Sequence, residues 1–197
     1  MTSHRPYHHG NLRQAVLDRA AVMLRDRGAA DLSLRELASD VGVTHAAPRR
    51  YFPDRQALLD ALAVEGFVRL GTRLRAAVQA APGYREQVRS AAAAYLRFAT
   101  SEANLVELMF AHNRGADGAA VTQGANAAFA PILEMFRRGE TEGLLPGRDP
   151  ERVGLLFVAT IQGVAGLINC GMIDADRLDD LAADVAGQVL GPPPSPA

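Results

Sequence analysis

The sequence predicts an all-helical protein with about nine helices, and three observations support this fold class. Apolar residues recur at spacings of three and four along most of the 197 residues. Strand-like alternation of useful length does not occur in the sequence. Residues that begin or end helices separate the apolar stretches: Gly28, Gly42, Pro53-Asp54, Pro82-Gly83 and Asp149-Pro150. Because 48% of the residues are hydrophobic, the chain can bury a sizeable core.

The first four predicted helices are separated by two glycine turns and one Pro-Asp break. Their expected ranges are 11–27, 33–41, 44–51 and 55–80. In the second helix, Ser33 and Glu36 form an S-x-x-E pattern, in which the two side chains cap backbone amides of the first turn. Asn11 and Asp54 are the expected N-caps of the first and fourth helices.

Five further helices are predicted after the break at residues 82–83. They start near residues 84, 105, 119, 150 and 178. The seventh contains Pro131, which can bend a helix. The eighth has Asp149 as its N-cap and Pro150 at its first position, where a missing amide hydrogen costs little. Residues 191–197 contain four prolines and are expected to form a disordered tail.

The eighth predicted helix lies in an uncharged segment, residues 153–173, that is long enough to cross a membrane. Gln162 and Asn169 lie within it, and the sequence contains no Trp for an interfacial belt. Gly163 and Gly166 would permit close contact between helices. We therefore expect a buried helix, and keep a membrane-anchored protein as the alternative.

Composition limits the classes of function. The single cysteine, Cys170, excludes an internal disulfide framework and a multi-cysteine zinc site. The net charge of −1 gives no global attraction to nucleic acid, so such a partner would need a local basic patch. Residues 1–60 carry nine Arg and seven acidic residues, whereas residues 61–197 carry twelve Arg and fifteen acidic residues. The polar N-terminus does not resemble a signal peptide, so a cytoplasmic location is expected.

The second and third predicted helices, joined by a turn at Gly42, have the form of a helix-turn-helix. The third helix is slim because Ala47 and Pro48 are small, which suits the major groove of DNA. Its outward residues are His45, Ala46, Arg49 and Arg50. The expected phosphate donors are Arg49, Arg50, Tyr51 and Arg55, and such contacts supply the salt-dependent part of affinity.

Residues 32–62, LSLRELASDVGVTHAAPRRYFPDRQALLDAL, resemble the N-terminal domain of the TetR family of bacterial transcriptional regulators. The lead-in YHHGNLR extends the resemblance to residues 7–65. It implies a helix-turn-helix DNA-binding domain at 7–55 and a helical ligand-binding and dimerisation domain at 56–190. It further implies a homodimer through residues 150–190 that binds a palindromic DNA operator. A repressor that responds to a small, largely apolar effector is the expected function, with an activator as the alternative.

The resemblance also implies roles for individual residues. Ser33 would cap the second helix and touch a phosphate, and Arg35 would reach a base or a phosphate. Thr44, His45 and Ala46 would face the groove. The C-terminal part resembles the branch named for a Trp-His-Gly motif, which here is Ile161-Gln162-Gly163. The effector-binding candidates are Phe98, Met109, Phe110, His112, Asn113, Phe129, Phe136, Gln162 and Asn169.

A helical-bundle enzyme or small-molecule carrier is the rival class. It would need a nucleophile with its base, a metal cluster or a cofactor loop. The sequence contains no G-x-G-x-x-G, H-E-x-x-H, G-x-S-x-G or Walker pattern. We therefore assign no catalytic residue, no metal ligand and no cofactor.

Overall fold

A computed structural model describes residues 12–111, 118–145 and 147–191. The helices are α1 (Leu12–Arg27), α2 (Leu34–Asp40), α3 (Arg55–Ala80), α4 (Tyr84–Ser101), α5 (Ala103–Phe110), α6 (Gly118–Thr141), α7 (Pro150–Asn169) and α8 (Leu178–Leu190). Two short 3₁₀ helices cover Pro48–Arg50 and Ala175–Arg177. These ranges contain no strand, and the predicted all-helical class is confirmed.

Most predicted helix boundaries are confirmed, because the residues that mark them act locally. Gly28 follows α1 with a φ of +80°, a conformation that favours glycine. The Asp54 carboxylate accepts a hydrogen bond from the Ala57 amide at 2.8 Å, at the start of α3. The Asp149 carboxylate likewise accepts from the Glu151 amide at 3.0 Å. The predicted cap Asn11 and the predicted tail from residue 192 onward lie outside the described residues.

The chain forms two compact units, of which the first comprises the described residues up to Gly66 together with Asn104–Val121. Helix α5 therefore belongs to the same unit as α1 and α2. The Asn104 side-chain amide donates to the carbonyls of Leu24 and Arg25, both at 3.0 Å, near the C-terminal end of α1. A Cβ atom at Gly66 would lie 2.6 Å from the Met109 sulfur, so α5 packs closely against α3.

The second unit comprises Phe67–Ala103 and the described residues from Thr122 onward. In it, α4 packs against both α7 and α8. Its largest fully buried side chains are Tyr95, Phe67, Phe98, Phe136, Phe157, Leu70, Leu74 and Leu96. A Cβ atom at Gly71 would lie 2.9 Å from the Ala128 Cα, so α3 and α6 approach closely at this point. Helix α6 continues through Pro131.

The expectation that the eighth predicted helix, now α7, is buried is correct for one face only. That face carries Val153, Phe157, Ile161, Ala165 and Ile168. On the opposite face, Leu155 is 69% exposed and Leu156 is 54% exposed. Within the described part of the chain, α7 is the one helix whose length and composition would suit a membrane crossing. A helix with one buried and one exposed apolar face is also typical of a subunit interface.

Candidate functional site

The turn after α2 reverses the chain with a defined set of backbone hydrogen bonds. The Val43 amide donates to the Ala38 carbonyl at 2.9 Å, and the Gly42 amide donates to the Ser39 carbonyl at 3.1 Å. Gly42 has a φ of +73°. This is a Schellman arrangement, in which the left-handed residue satisfies the last carbonyls of the helix. The predicted helix-turn at Gly42 is therefore confirmed.

The third predicted helix, residues 44–51, is wrong as an α-helix. The segment folds by bonds to the third preceding residue: Ala47 donates to Thr44 at 2.9 Å, and Tyr51 donates to Pro48 at 3.0 Å. Pro48 has no amide hydrogen and cannot donate to the carbonyl of Thr44, so that carbonyl accepts from Ala47 instead. The result is a tight turn followed by the 3₁₀ helix Pro48–Arg50, with Pro48 buried and Arg49 and Arg50 exposed.

The predicted capping box at the start of α2 is also wrong. Ser33 stands at the N-cap position, but its side chain makes no capping hydrogen bond. The Glu36 carboxylate accepts from the Arg27 guanidinium at 2.9 Å. Glu36, the glutamate of the predicted capping box, is therefore ion-paired with Arg27 at the end of α1.

Both carboxylates of α2 are paired with arginines of α1. Glu36 is bound by Arg27, and Asp40 accepts from Arg19 at 2.6 Å. The three arginines of α2 and of the segment after its turn are exposed, and their guanidinium groups make no hydrogen bond or ion pair within the described residues. They are Arg35, Arg49 and Arg50, which we call the basic patch. Their positive charge is available to a partner that carries negative charge.

The other residues predicted to contact DNA occupy different settings. Thr44 and Ala46 are exposed, and Tyr51 is 43% exposed. His45 is exposed, and its Nε2 lies 3.3 Å from the Ser39 hydroxyl. Arg55 donates to the carbonyls of residues 29, 30 and 32, so its guanidinium holds the loop between α1 and α2. The sequence carries no local signal for this Arg55 role, because the carbonyls lie more than twenty residues earlier.

The residues predicted to bind effector differ in burial. Phe98, Met109 and Phe136 are buried, and Phe110 is half-buried. The Arg73 guanidinium lies 5.1 Å from the centre of the Phe98 ring. The predicted candidates His112 and Asn113 fall outside the described residues.

Phe129 and Gln162 of that set are half-buried, whereas Asn169 is exposed. The Asn169 amide donates to the Ala99 carbonyl at 3.1 Å, which ties the end of α7 to α4. Phe129 lines a cleft of about 250 Å³ between α6 and α7, and this cleft is open to solvent. The described residues that line this α6–α7 cleft are Phe129, Ile132, Leu133, Glu151, Gly154, Leu155 and Val158.

Tyr95 was not predicted as a site residue. Its side chain is fully buried, and its hydroxyl makes no hydrogen bond in the part of the chain that the structure describes. Burial raises the pKa of this phenol, and the neighbouring Gln162 amide acts in the opposite direction. Its ring centre lies 6.2 Å from that of Phe129. The sequence signal for this residue is a tyrosine, which has a polar hydroxyl, on the same apolar face of α4 as Phe98.

Comparison with known proteins identifies the family. The sequence pattern of the bacterial regulatory proteins of the tetR family matches residues 16–62, which include α1, α2 and the turn. A protein of unknown function from Rhodococcus sp. RHA1 is 35% identical, with a TM-score of 0.84, and the alignment covers 95% of this chain and 97% of that one. No curated protein sequence shows a significant match.

Two regulators of known structure share the fold at lower identity. The TetR family transcriptional regulator PfmR from Thermus thermophilus is 16% identical, with a TM-score of 0.69, over 89% of this chain and 96% of its own. The transcriptional regulator FadR from Bacillus subtilis, solved in complex with stearoyl-CoA, is 14% identical, with a TM-score of 0.75, over 90% and 97%. The sequence pattern over the helix-turn-helix and the fold over nearly the whole length agree, and the chain belongs to the TetR family of bacterial transcriptional regulators, which are not enzymes.

Proposed function

We propose that this protein is a sequence-specific, ligand-responsive repressor that binds a palindromic DNA operator as a homodimer. The basic patch beside the helix-turn-helix is the observation that carries this proposal. Because Glu36 and Asp40 are already paired, the free positive charge of this surface is concentrated on Arg35, Arg49 and Arg50. Guanidinium groups bind phosphates well, and phosphate contacts fix the position of a protein on the duplex.

The tight segment from Thr44 to Tyr51 is the part that we assign to the major groove. Thr44, His45 and Ala46 are exposed at its start, where contacts to base edges are made in helix-turn-helix proteins. Arg49 and Arg50 follow on the same segment and would meet the phosphates that flank the groove. DNA binding is assigned to residues 7–55, and effector binding and dimerisation to residues 56–190.

The homodimer is proposed from the exposed apolar face of α7. Leu155, Leu156 and Leu167 are exposed on it, and a Cβ atom at Gly163 or Gly166 would meet no neighbouring atom within 4 Å. A second copy of α7 could therefore approach closely, and α8 would complete a four-helix bundle. Burial of this face removes apolar surface from water and gives the dimer its stability. A charged residue at position 163 should separate the subunits, as sedimentation of Gly163→Asp would reveal.

Ligand response is proposed because the same fold holds stearoyl-CoA in FadR from Bacillus subtilis. In the present chain an effector bound to the second unit would favour a different arrangement of the two subunits. In that arrangement the two Thr44–Tyr51 segments would no longer have the spacing of the operator half-sites. By thermodynamic linkage, the operator and the effector then weaken each other's binding by the same factor. Since the proposed partner is DNA, we propose a cytoplasmic location for the protein.

The experiment that tests this function starts from a random duplex library. The purified protein should select an inverted repeat whose half-sites lie about 34–36 Å apart, or somewhat farther. Selection of no common sequence would contradict operator recognition, and selection of a single half-site would contradict the dimer. A reporter gene placed behind the selected site then decides the direction of control, because a repressor lowers expression and an activator raises it.

A further inference from the structure

The Ser39 hydroxyl connects α2 with the segment that we assign to the major groove. Its oxygen lies 3.2 Å from the Arg35 carbonyl, one turn earlier on α2, and 3.3 Å from Nε2 of His45. A hydroxyl has a single hydrogen, so it donates to one of these neighbours only. Both contacts are satisfied together when the hydroxyl donates to the Arg35 carbonyl and the Nε2–H group of His45 donates to the hydroxyl oxygen.

This arrangement decides the role of the other nitrogen in the His45 ring. In a neutral imidazole one nitrogen carries a proton and the other carries a lone pair. The hydrogen bond made by one nitrogen therefore sets the role of the second. With the proton on Nε2, Nδ1 of His45 is an acceptor. His45 is exposed, and its Nδ1 makes no hydrogen bond to any residue that the structure describes, so this acceptor is available to a partner.

The major groove of DNA offers two kinds of polar group to a ring nitrogen. Adenine N6 and cytosine N4 are amines and donate, whereas guanine O6, thymine O4 and the purine N7 atoms accept. A nitrogen with a lone pair binds the amines and gains nothing from the accepting atoms. The opposite tautomer, with the proton on Nδ1, would have the opposite preference.

We propose that Ser39 is a positioning residue that holds His45 with Nδ1 as an acceptor, so that His45 recognises an adenine or cytosine amine in each operator half-site. The arginines of the basic patch carry donors only. The carboxylates of Glu36 and Asp40 are already bound by arginines of α1. His45 therefore adds an acceptor to a surface that is rich in donors. This inference rests on the proposed function, because it names the class of base that the proposed DNA-binding segment contacts.

The first measurement uses the protein without DNA. Two-bond ¹H–¹⁵N correlation spectra distinguish a ring nitrogen that carries a proton from one that carries a lone pair. They are recorded at pH 8 to keep imidazole groups neutral. His45→Gln identifies the His45 signals among those of the five histidines. The proton should lie on Nε2 in the wild type, and a proton on Nδ1 would overturn the proposal.

The second measurement uses the duplex that the wild type selects, modified at the position where His45→Ala loses its base preference. N6-methyladenine or N4-methylcytosine keeps the base pair and replaces the amine hydrogen that faces the major groove. Either base should weaken wild-type binding about fivefold per half-site, the effect of one lost hydrogen bond. A 7-deazapurine in the same base pair removes the N7 acceptor and should change the affinity less than about twofold.

Ser39→Ala keeps the His45 ring but removes the hydroxyl that holds it. The loss of affinity on the methylated duplex should fall to about twofold or less, because the ring can turn and either nitrogen can carry the proton. Ser39→Thr places a hydroxyl on the same carbon and should restore the fivefold loss. Ser101→Ala is the matched control. The Ser101 hydroxyl also donates to a carbonyl of its own helix, that of Phe98 at 3.1 Å, but it belongs to the second unit.

The Ser101→Ala variant should show the same fivefold loss as the wild type. Equal losses for wild type and Ser39→Ala would overturn the role of Ser39. A loss of affinity on the 7-deazapurine duplex, with none on the methylated duplex, would overturn the acceptor role of His45.

The outcomes also separate this inference from the proposed function. Selection of no operator would contradict the regulator and, with it, the recognition of a base, whereas the spectra would still decide which nitrogen carries the proton. Operator selection by a protein whose affinity does not depend on the amine would sustain the regulator and overturn the inference.

Discussion

Replacement of Arg49 by alanine removes one exposed guanidinium of the basic patch from each subunit. If each Arg49 neutralises one phosphate, the dimer releases two fewer counterions when it binds the operator. The slope of log K against log salt should then become shallower by about 1.8. Between about 50 and 200 mM salt, the affinity of the wild type should therefore fall about twelvefold more than that of the variant.

Fluorescence anisotropy with the selected duplex and a scrambled duplex measures this slope. Since phosphate contacts carry no sequence information, Arg49→Ala should weaken binding to both duplexes. Arg27→Ala is the control, because it removes the same charge from a guanidinium that is paired with Glu36 at 2.9 Å. The control should leave the slope nearly unchanged. A slope that is the same for Arg49→Ala and wild type would refute the phosphate assignment.

Three further predictions concern stability. Asn104→Ala should lower the Tm by about 2–8 °C, since two carbonyls of α1 lose their donor, whereas the exposed Asn126→Ala should not; calorimetry measures both. Gly139→Ala should destabilise the protein by about 1–3 kcal/mol in urea unfolding, because its Cβ would overlap the Tyr84 ring; an unchanged midpoint would contradict this packing. Burial raises the pKa of Tyr84 to about 12. The contribution of the protonated phenol to the free energy of unfolding should therefore be complete below pH 10 and lost as the pH rises through 12. Tyr84→Phe should reduce this loss of stability.

The helices were predictable from the sequence where their boundaries depend on local chemistry. Asp54 and Asp149 accept hydrogen bonds from amides two or three residues away, and Gly28 and Gly42 adopt positive φ values. These interactions require no tertiary structure, and α3 accordingly spans the predicted range, Arg55–Ala80.

The errors arise where a distant group competes with a local one. Ser33 and Glu36 have the spacing of a capping box, but Arg27 binds the glutamate from another helix. The sequence likewise could not show that Arg55, which stays a predicted phosphate donor, donates to carbonyls of the loop before α2. The surroundings of the Tyr95 hydroxyl are formed by three helices, α4, α6 and α7. The periodicity of the sequence could therefore assign Tyr95 to the core, but it could not show which groups surround its hydroxyl.

The placement of Asn104 and Met109 in the first unit has a consequence for protein engineering. The unit that carries the helix-turn-helix comprises two separate stretches of chain, residues up to Gly66 and Asn104–Val121. A fragment that ends at residue 66 would lose the amide that binds the Leu24 and Arg25 carbonyls. Chimaeras that exchange the DNA-binding unit between such regulators should therefore exchange both stretches. A chimaera with a single crossover within α3 should be less stable.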